Sequence, residues 1–187
     1  MTQVRVPIFA LALAACASSS GASRADGPAE LPAELYTSAR GSEVRITTDE
    51  RGVSGKLEKS PDEVFRAVAA VYQELDLDPD VLDPRGRTVG ASRLTRGAVA
   101  GQRPESLVRC ANEGAGPSAA SRMRVTFSIM TQVAPSGASA SSVKTTVRAS
   151  ATPVGGSSIG RVVCISLGEI ERIILGRVAL SLGIEPG

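Results

Sequence analysis

Histidine and tryptophan are absent from this sequence, and aromatic residues make up only 3% of it. Histidine is the commonest general acid or base near neutral pH and the commonest metal ligand, so its absence removes both. An enzyme of this composition would have to act through serine, lysine, cysteine or carboxylate groups. Because aromatic side chains are so few, the core must be built from valine, isoleucine, leucine and alanine.

Acidic and basic residues nearly balance, at 19 and 21, and give a formal net charge of +2. Proteins that bind nucleic acid concentrate basic residues on one face, and the balanced composition gives no indication of such a face. Arginine supplies nearly all of the positive charge, which we interpret as a compositional bias. A hydrophobic share of 42% over 187 residues predicts a single globular domain.

The N-terminus has the pattern of an export signal. One basic residue, Arg5, precedes an apolar run over residues 6–15, which is well short of the roughly 20 residues of a membrane-spanning helix. The run ends in Leu13-Ala14-Ala15-Cys16, which resembles the lipobox of bacterial lipoproteins. The resemblance implies a signal peptide over 1–15 and lipid attached to Cys16. The alternative is an ordinary signal peptide cut after an Ala-x-Ala site, with Cys16 incidental.

The resemblance also implies a location. Several acyl chains hold a protein stably on a membrane, whereas one chain holds it only marginally, so the membrane is the predicted partner. In enterobacterial lipoproteins, aspartate after the lipidated cysteine favours inner-membrane retention; here that residue is Ala17, which implies the outer membrane, facing the periplasm. Residues 16–42 are rich in small residues and proline and predict a flexible tether.

Residues 43–187 are predicted to form one α+β domain. Ser60-Pro61-Asp62-Glu63 is a capping box that starts a helix ending at Leu75. Ser166-Leu167-Gly168-Glu169 is a second capping box, and its helix is predicted to end at Gly183. Alternating or extended apolar patterns predict strands at 43–48, 53–57, 81–82, 88–94, 122–134 and 143–151.

Strands with one polar face need helices on the other face, so the pattern predicts a two-layer sandwich. We expect two helices on one face of an antiparallel sheet of about four to six strands. The predicted order, β-(β)-α-β-β-β-β-α over residues 43–183, is similar to the β-α-β-β-β-β-α order of helix-grip and TATA-box-binding-protein-like folds. Helix-grip modules occur in lipoproteins of the outer-membrane barrel-assembly machinery, so the resemblance implies a role in the envelope.

Two cysteines, Cys110 and Cys164, remain as an even pair if Cys16 carries lipid. Because an exported protein lies in an oxidising compartment, we predict a disulfide between them. In the chain-entropy description, closing a loop of that size stabilises the fold by about 4 kcal/mol. The alternative is a nucleophilic cysteine, but the sequence has no histidine to activate it.

The acidic string Asp76–Asp83 has the carboxylate density of a calcium loop. An EF-hand loop needs glycine at its sixth position and glutamate at its twelfth, where this sequence has Val81 and Arg87. We therefore predict a solvated connection and no metal site.

Two further strings match functional motifs only in part. Ser141-Ser142-Val143-Lys144 has the S-x-x-K spacing of penicillin-binding enzymes, which place it on a helix, whereas here it opens a strand. Gly155–Gly160 lacks the spacing and the following Lys-Ser/Thr of a phosphate-binding loop. We predict a chance match for the first, a plain loop for the second, and no cofactor.

Four arginines lie in or beside the segment 95–121, which shows no clear period. They would form a basic rim for anionic lipid or an acidic partner, or be solvated separately, and the scattered pattern favours the second interpretation. These residues are Arg93, Arg96, Arg103 and Arg109.

Our leading hypothesis from the sequence is a non-catalytic, membrane-anchored envelope module that binds a partner protein or supports an assembly. It depends on the tether and on the lack of a recognisable catalytic constellation. The alternative is a binder of a small apolar ligand or lipid, held between the sheet and the C-terminal helix as in helix-grip pockets. A third hypothesis is an envelope hydrolase that acts through serine or carboxylate.

Overall fold

The structure is a computed structural model that describes residues 34–37, 43–49, 52–110, 123–154 and 161–184. The strands are β1 (Glu34–Thr37), β2 (Glu43–Asp49), β3 (Gly52–Leu57), β4 (Val81–Asp83), β5 (Thr88–Leu94), β6 (Val108–Cys110), β7 (Met123–Pro135), β8 (Ser141–Pro153) and β9 (Val162–Ser166). The helices are α1 (Pro61–Glu74), α2 (Pro104–Leu107) and α3 (Glu169–Ser181). The α+β class predicted from the sequence is confirmed.

Within the described ranges, the strands form one antiparallel sheet. Its main path runs β1-β2-β3-β8-β7-β5-β4, and β9 and β6 branch from β8. At its centre, β7 and β8 pair along their full length, from Met123 opposite Pro153 to Pro135 opposite Ser141. Both strands alternate buried and less buried residues, as a sheet covered on one face requires.

One edge of β8 is shared by two strands. β3 pairs with residues 141–145 of β8, and β9 pairs with residues 149–151. Residues 146–148 lie between these two ladders, so the sheet divides there.

The core lies between the inner face of the sheet and the two long helices. Helix α1 packs against β5 and β7, α3 packs against β3 and β8, and the helices contact each other. The largest fully buried apolar side chains come from both layers: Leu57, Leu77, Leu107, Phe127, Ile129, Ile170, Ile174, Leu175 and Ile184.

Helix α1 begins as its sequence predicts. Ser60 is the N-cap, and its side chain accepts a hydrogen bond from the backbone N–H of Glu63 at 3.4 Å. Pro61 occupies the first helical position, where its missing N–H costs nothing. The buried face of the helix presents Val64, Val68, Val71 and Tyr72 to the sheet.

The sheet is larger than the predicted four to six strands, because nine strands are present in the described residues alone. The additional strands are β1, β6 and β9. Strand β6 has only three residues, which is too short to give a clear strand signal. Strand β9 has five residues, and its outward positions are apolar, so it does not show the alternation of a half-buried strand. Strand β1 lies within the segment predicted as a tether and pairs with β2.

The predicted capping box at the start of the last helix is wrong. Ser166 is the final residue of β9. The helix begins at Glu169, and its N-cap residue is Gly168, which has a left-handed backbone conformation and no side chain to bond the first turn. The carboxylate of Glu169 bonds Arg172 at 2.6 Å instead of reaching back to Ser166. Pairing between β6 and β9 keeps Ser166 in an extended conformation, which overrides the local capping signal.

Candidate functional site

Cys16, the predicted lipidation residue, lies outside the described residues, as do the predicted signal peptide and most of the predicted tether. Among the helices of the described residues, none is long and apolar enough to cross a membrane. Four candidate sites lie within the described residues: the cysteine pair, a buried polar cluster, an acidic–arginine cluster and the open face of the sheet.

Cys110 and Cys164 are joined by a disulfide, as predicted from the sequence. They stand directly opposite each other, Cys110 on β6 and Cys164 on β9. The Leu167 N–H donates to the Leu107 carbonyl at 2.9 Å in the same register, which places the cysteines at a non-hydrogen-bonded position of the ladder. At such positions the Cα atoms approach most closely, and here they are 3.9 Å apart, below the usual range of about 4.4–6.8 Å.

The disulfide attaches the segment before Cys110, which the sequence predicted to be irregular, to the sheet. Leu107 and Val108, immediately before Cys110, are almost completely buried. On its other edge, Cys164 is opposite Ala149 of β8. The bond therefore connects α2 and β6 through β9 to the central strand of the sheet, and both cysteines are buried.

Glu171 is a buried acidic residue on the inner side of α3, with 1% of its surface exposed. Its Oε2 accepts a hydrogen bond from the Ser166 hydroxyl at 2.9 Å, and that hydroxyl in turn accepts from the Gly168 N–H at 3.1 Å. Burial raises the pKa of the Glu171 carboxyl. Hydrogen bonds from Ser166, from its own backbone and from the backbone of Val147, together with the charge of Arg172, oppose that rise.

The bond from Val147 explains why a carboxyl group is tolerated there. Val147 lies in the interval of β8 between the β3 and β9 ladders. Its N–H would cost about 1–3 kcal/mol if it were buried without a partner. The Glu171 side chain supplies an acceptor where neither strand does, so its position is explained by the division of the sheet.

A second buried polar group connects α1 to the centre of the sheet. The hydroxyl groups of Tyr72 and Thr131 share a hydrogen bond at 2.9 Å, and Thr131 shares another with Thr145 at 2.8 Å. All three residues are at most 1% exposed. Burial raises the pKa of the Tyr72 phenol above its usual range, the bond with Thr131 opposes this, and the negative charge of Glu171 adds to it. Tyr72 and Glu171 are thus electrostatic neighbours across the helix layer.

A carboxyl group with a raised pKa is typical of general acid or base residues. Catalysis also requires access for a substrate, and the Glu171 carboxyl is enclosed by α3, β8 and β9. Its bonds all go to neighbouring structural elements. The arrangement satisfies buried backbone and hydroxyl groups, which is a stabilising role.

The acidic residues at 76–83 form ion pairs and hydrogen bonds with Arg96 and Ser92. The guanidinium group of Arg96 bonds the carboxylates of Asp76 and Asp78, and Asp80 accepts hydrogen bonds from the backbone and hydroxyl of Ser92. The Ser92 bonds lower the pKa of Asp80. Within the described residues, no group of carboxylates and cysteines has an arrangement suited to a metal ion. Arg96 is therefore engaged at this turn, so the four arginines do not act as one rim.

The S-x-x-K string does not form a catalytic pair. Ser141 is buried at the start of β8, and its hydroxyl donates to the Lys59 carbonyl at 2.7 Å. Residues three apart on a strand point to opposite faces, so Lys144 lies on the outer face. The string Gly155–Gly160 lies outside the described residues.

The predicted location for a small apolar ligand, between the sheet and the C-terminal helix, is closely packed at Gly55. A Cβ atom added to Gly55 of β3 would lie 2.7 Å from Cδ2 of Leu175, which is itself buried on α3. Helix and strand are thus in direct contact there.

The outer face of the sheet combines arginine with exposed apolar residues, and the sequence did not reveal this combination. Val163 and Ile165 on β9 are 72% and 73% exposed. Ile165 is opposite Arg109 on β6, and Arg148 on β8 is also exposed. The sequence analysis did not establish which residues of β9 face the core. Cys164 faces inward, so its two apolar neighbours in the strand face outward.

No protein-family model matches the sequence, and no curated protein matches it at a significant level. The functional interpretation therefore depends on the residues of this chain.

Proposed function

We propose that this protein is a lipid-anchored, non-catalytic module of the bacterial cell envelope, held at the outer membrane and facing the periplasm. The observation that carries the proposal is the pattern Leu13-Ala14-Ala15-Cys16 after a short apolar run. Lipid on Cys16 would hold the domain at the membrane surface.

The disulfide supports the export part of this proposal. Disulfides persist in oxidising compartments such as the periplasm and are rare in the cytosol. The Cys110–Cys164 bond joins two neighbouring strands and uses both cysteines other than Cys16. This division of three cysteines is the one expected of an exported protein with a single acylated cysteine.

The described polar groups support a binding or assembly role over catalysis. The most perturbed carboxyl group, Glu171, is enclosed, and the serine of the S-x-x-K string bonds a backbone carbonyl. The outer face of the sheet, in contrast, presents accessible side chains over several strands. We therefore assign the function to surfaces of the domain.

The anchor is tested by Cys16→Ser in the full chain, expressed in a bacterial host. We expect the wild type to gain the mass of the acyl chains and to fractionate with outer membranes, and Cys16→Ser to lose both properties. Ala17→Ser is the matched control, because it changes the adjacent residue and keeps the cysteine. Unchanged mass and membrane fractionation for Cys16→Ser would overturn the assignment.

The assembly role is tested by proximity labelling from the native lipidated protein. Recurrent labelling of the same envelope proteins, lost with Cys16→Ser, supports the proposal. Labelling that matches a lipoprotein of unrelated sequence would contradict it. Turnover of an ester, peptide, glycan or phosphate substrate by the purified protein, abolished by one serine or carboxylate substitution, would replace it with the hydrolase hypothesis.

A further inference from the structure

The four strands β6, β7, β8 and β9 contain no acidic residue. Their outward positions carry basic residues, among which Arg109, Arg124 and Arg148 are exposed. The helices cover the opposite face of the sheet, so these side chains lie on the open face. We call this surface, on β6 to β9, the basic face.

Two apolar residues project from the middle of the basic face. Val163 is opposite Ser150 on β8, and Arg148 is the next outward residue along that strand. Ile165 is opposite Arg109. Directly opposed and diagonal residues of neighbouring strands lie within about 4.5–8 Å, so arginine stands on both sides of the apolar pair.

The remaining outward residues between these arginines are small and polar. Thr126 of β7 is opposite Ser150, and Ser128 is opposite Arg148. Because these hydroxyl side chains are short, the side chains of the arginines and of Val163 and Ile165 extend further from the sheet. A surface with this pattern matches the interface of a bilayer, where apolar side chains enter below anionic headgroups that bind arginine.

We propose that the basic face lies on an anionic phospholipid surface, with Val163 and Ile165 inserted among the headgroups. Charge complementarity identifies the occupant, and the inference rests on the proposed lipid anchor, which keeps the domain within reach of the bilayer. Contact through this face orients the domain, so that α1 and α3 face away from the membrane.

The experiment uses the absence of tryptophan from the chain, since Ile165→Trp then introduces a single reporter. The full-length lipidated protein is reconstituted in vesicles of phosphatidylcholine alone or mixed with phosphatidylglycerol, with brominated lipid as the quencher. We expect a blue-shifted, strongly quenched emission in the anionic vesicles and much weaker quenching in phosphatidylcholine. Leu180→Trp is the matched control, because Leu180 is 43% exposed on α3, in the opposite layer, and its emission should not respond.

The arginines are tested in the same reporter protein. Arg124→Ser and Arg148→Ser should each weaken engagement on the order of fivefold, and added salt should weaken it further. Arg87→Ser is the control on the other side of the molecule, where Arg87 pairs with Asp62 of α1. Val163→Trp provides a second reporter if Ile165→Trp lowers the melting temperature.

Quenching that is absent from both reporters in anionic vesicles, or equal for Leu180→Trp, would overturn the inference and leave an acidic protein as the occupant to test. Failure of the anchor is distinguishable from this result. A chain that lacks acyl mass but still shows anionic quenching of Ile165→Trp contradicts the anchor alone, whereas an acylated chain without quenching contradicts the basic face alone.

Discussion

The Ser166 hydroxyl, at the end of β9, donates a 2.9 Å hydrogen bond to the buried carboxyl group of Glu171 on α3. The two residues belong to different elements and are five positions apart. Their bond, with that from the Val147 backbone, places an ionisable group inside the core where the sheet divides. This arrangement makes stability depend on pH.

The first prediction concerns Glu171→Gln. Burial raises the folded-state pKa of Glu171 above its ordinary value of 4.5, so the folded state holds this proton more tightly than the unfolded state. The free energy of unfolding should therefore fall as pH rises from about 4.5 through the folded pKa. Glu171→Gln removes this component, so its stability relative to the wild type should improve between pH 4 and pH 8 in urea unfolding.

Glu171→Ala separates charge from hydrogen bonding. It leaves the Val147 N–H and the Ser166 hydroxyl without the carboxyl acceptor, which should cost about 1–3 kcal/mol in addition to the cavity. We expect the alanine variant to be less stable than the glutamine variant at every pH. Identical pH dependence in the wild type and Glu171→Gln would show that Glu171 does not titrate as its burial requires.

The second prediction concerns the disulfide. The cysteines are 54 residues apart, and closing a loop of this size raises the free energy of unfolding by about 4 kcal/mol in the chain-entropy description. Cys110→Ala combined with Cys164→Ala should lower the free energy of unfolding by an amount of that order. Hydrogen exchange should accelerate first in Pro104–Cys110, while the β7–β8 ladder stays protected.

Reduction of the wild type provides the control for that experiment. A reductant should destabilise the wild type and leave the double alanine variant unchanged, since the variant has no bond to break. If exchange accelerates equally in the β7–β8 ladder, the disulfide stabilises the whole sheet and not the attached segment.

The sequence predicted the elements whose signals are long or local. The alternation over residues 122–134 and 143–151 is enough to identify β7 and β8 and their inner face. Helix α1 carries its own start signal at Ser60–Glu63. The disulfide followed from counting cysteines, and the structure confirms it.

The elements that the sequence missed depend on distant contacts. Strand β6 has three residues and exists through its pairing with β9, so no local pattern identifies it. The same pairing keeps Ser166 in β9, so the capping signal at Ser166 does not start the helix. Glu171 bonds the Val147 N–H of β8 between the β3 and β9 ladders, and a helix sequence contains no information about the strand it covers.

The third prediction compares Tyr72 with Thr131. Tyr72→Phe removes one hydroxyl, but Thr131 keeps its bond to Thr145, so the loss should be about 1 kcal/mol. Thr131→Val removes the middle member and leaves both neighbouring hydroxyl groups without this partner in the core. Its cost should be larger, at about 1–3 kcal/mol for each group. Chemical denaturation of both variants tests the order, and equal losses would show that Thr131 is not the shared partner.

The final prediction concerns Gly52 and Gly137, two glycines with nearly identical φ values of 127° and 129°. Both values are unfavourable for other residues, so alanine at either position should cost on the order of 1–3 kcal/mol. The surroundings differ, because an added Cβ at Gly52 would lie 2.2 Å from the Thr145 carbonyl oxygen, whereas at Gly137 it would meet no atom within 4 Å.

Gly52 is the first residue of β3 and lies opposite Asp49 of β2, and Thr145 belongs to the ladder that joins β3 to β8. The backbone there cannot move without disturbing this ladder, so Gly52→Ala should lose clearly more stability than Gly137→Ala in urea unfolding. The Gly137 variant reports the backbone cost, and the difference between the two reports the steric contact. Equal losses would mean that β3 moves freely relative to β8, which contradicts the close approach at Gly52.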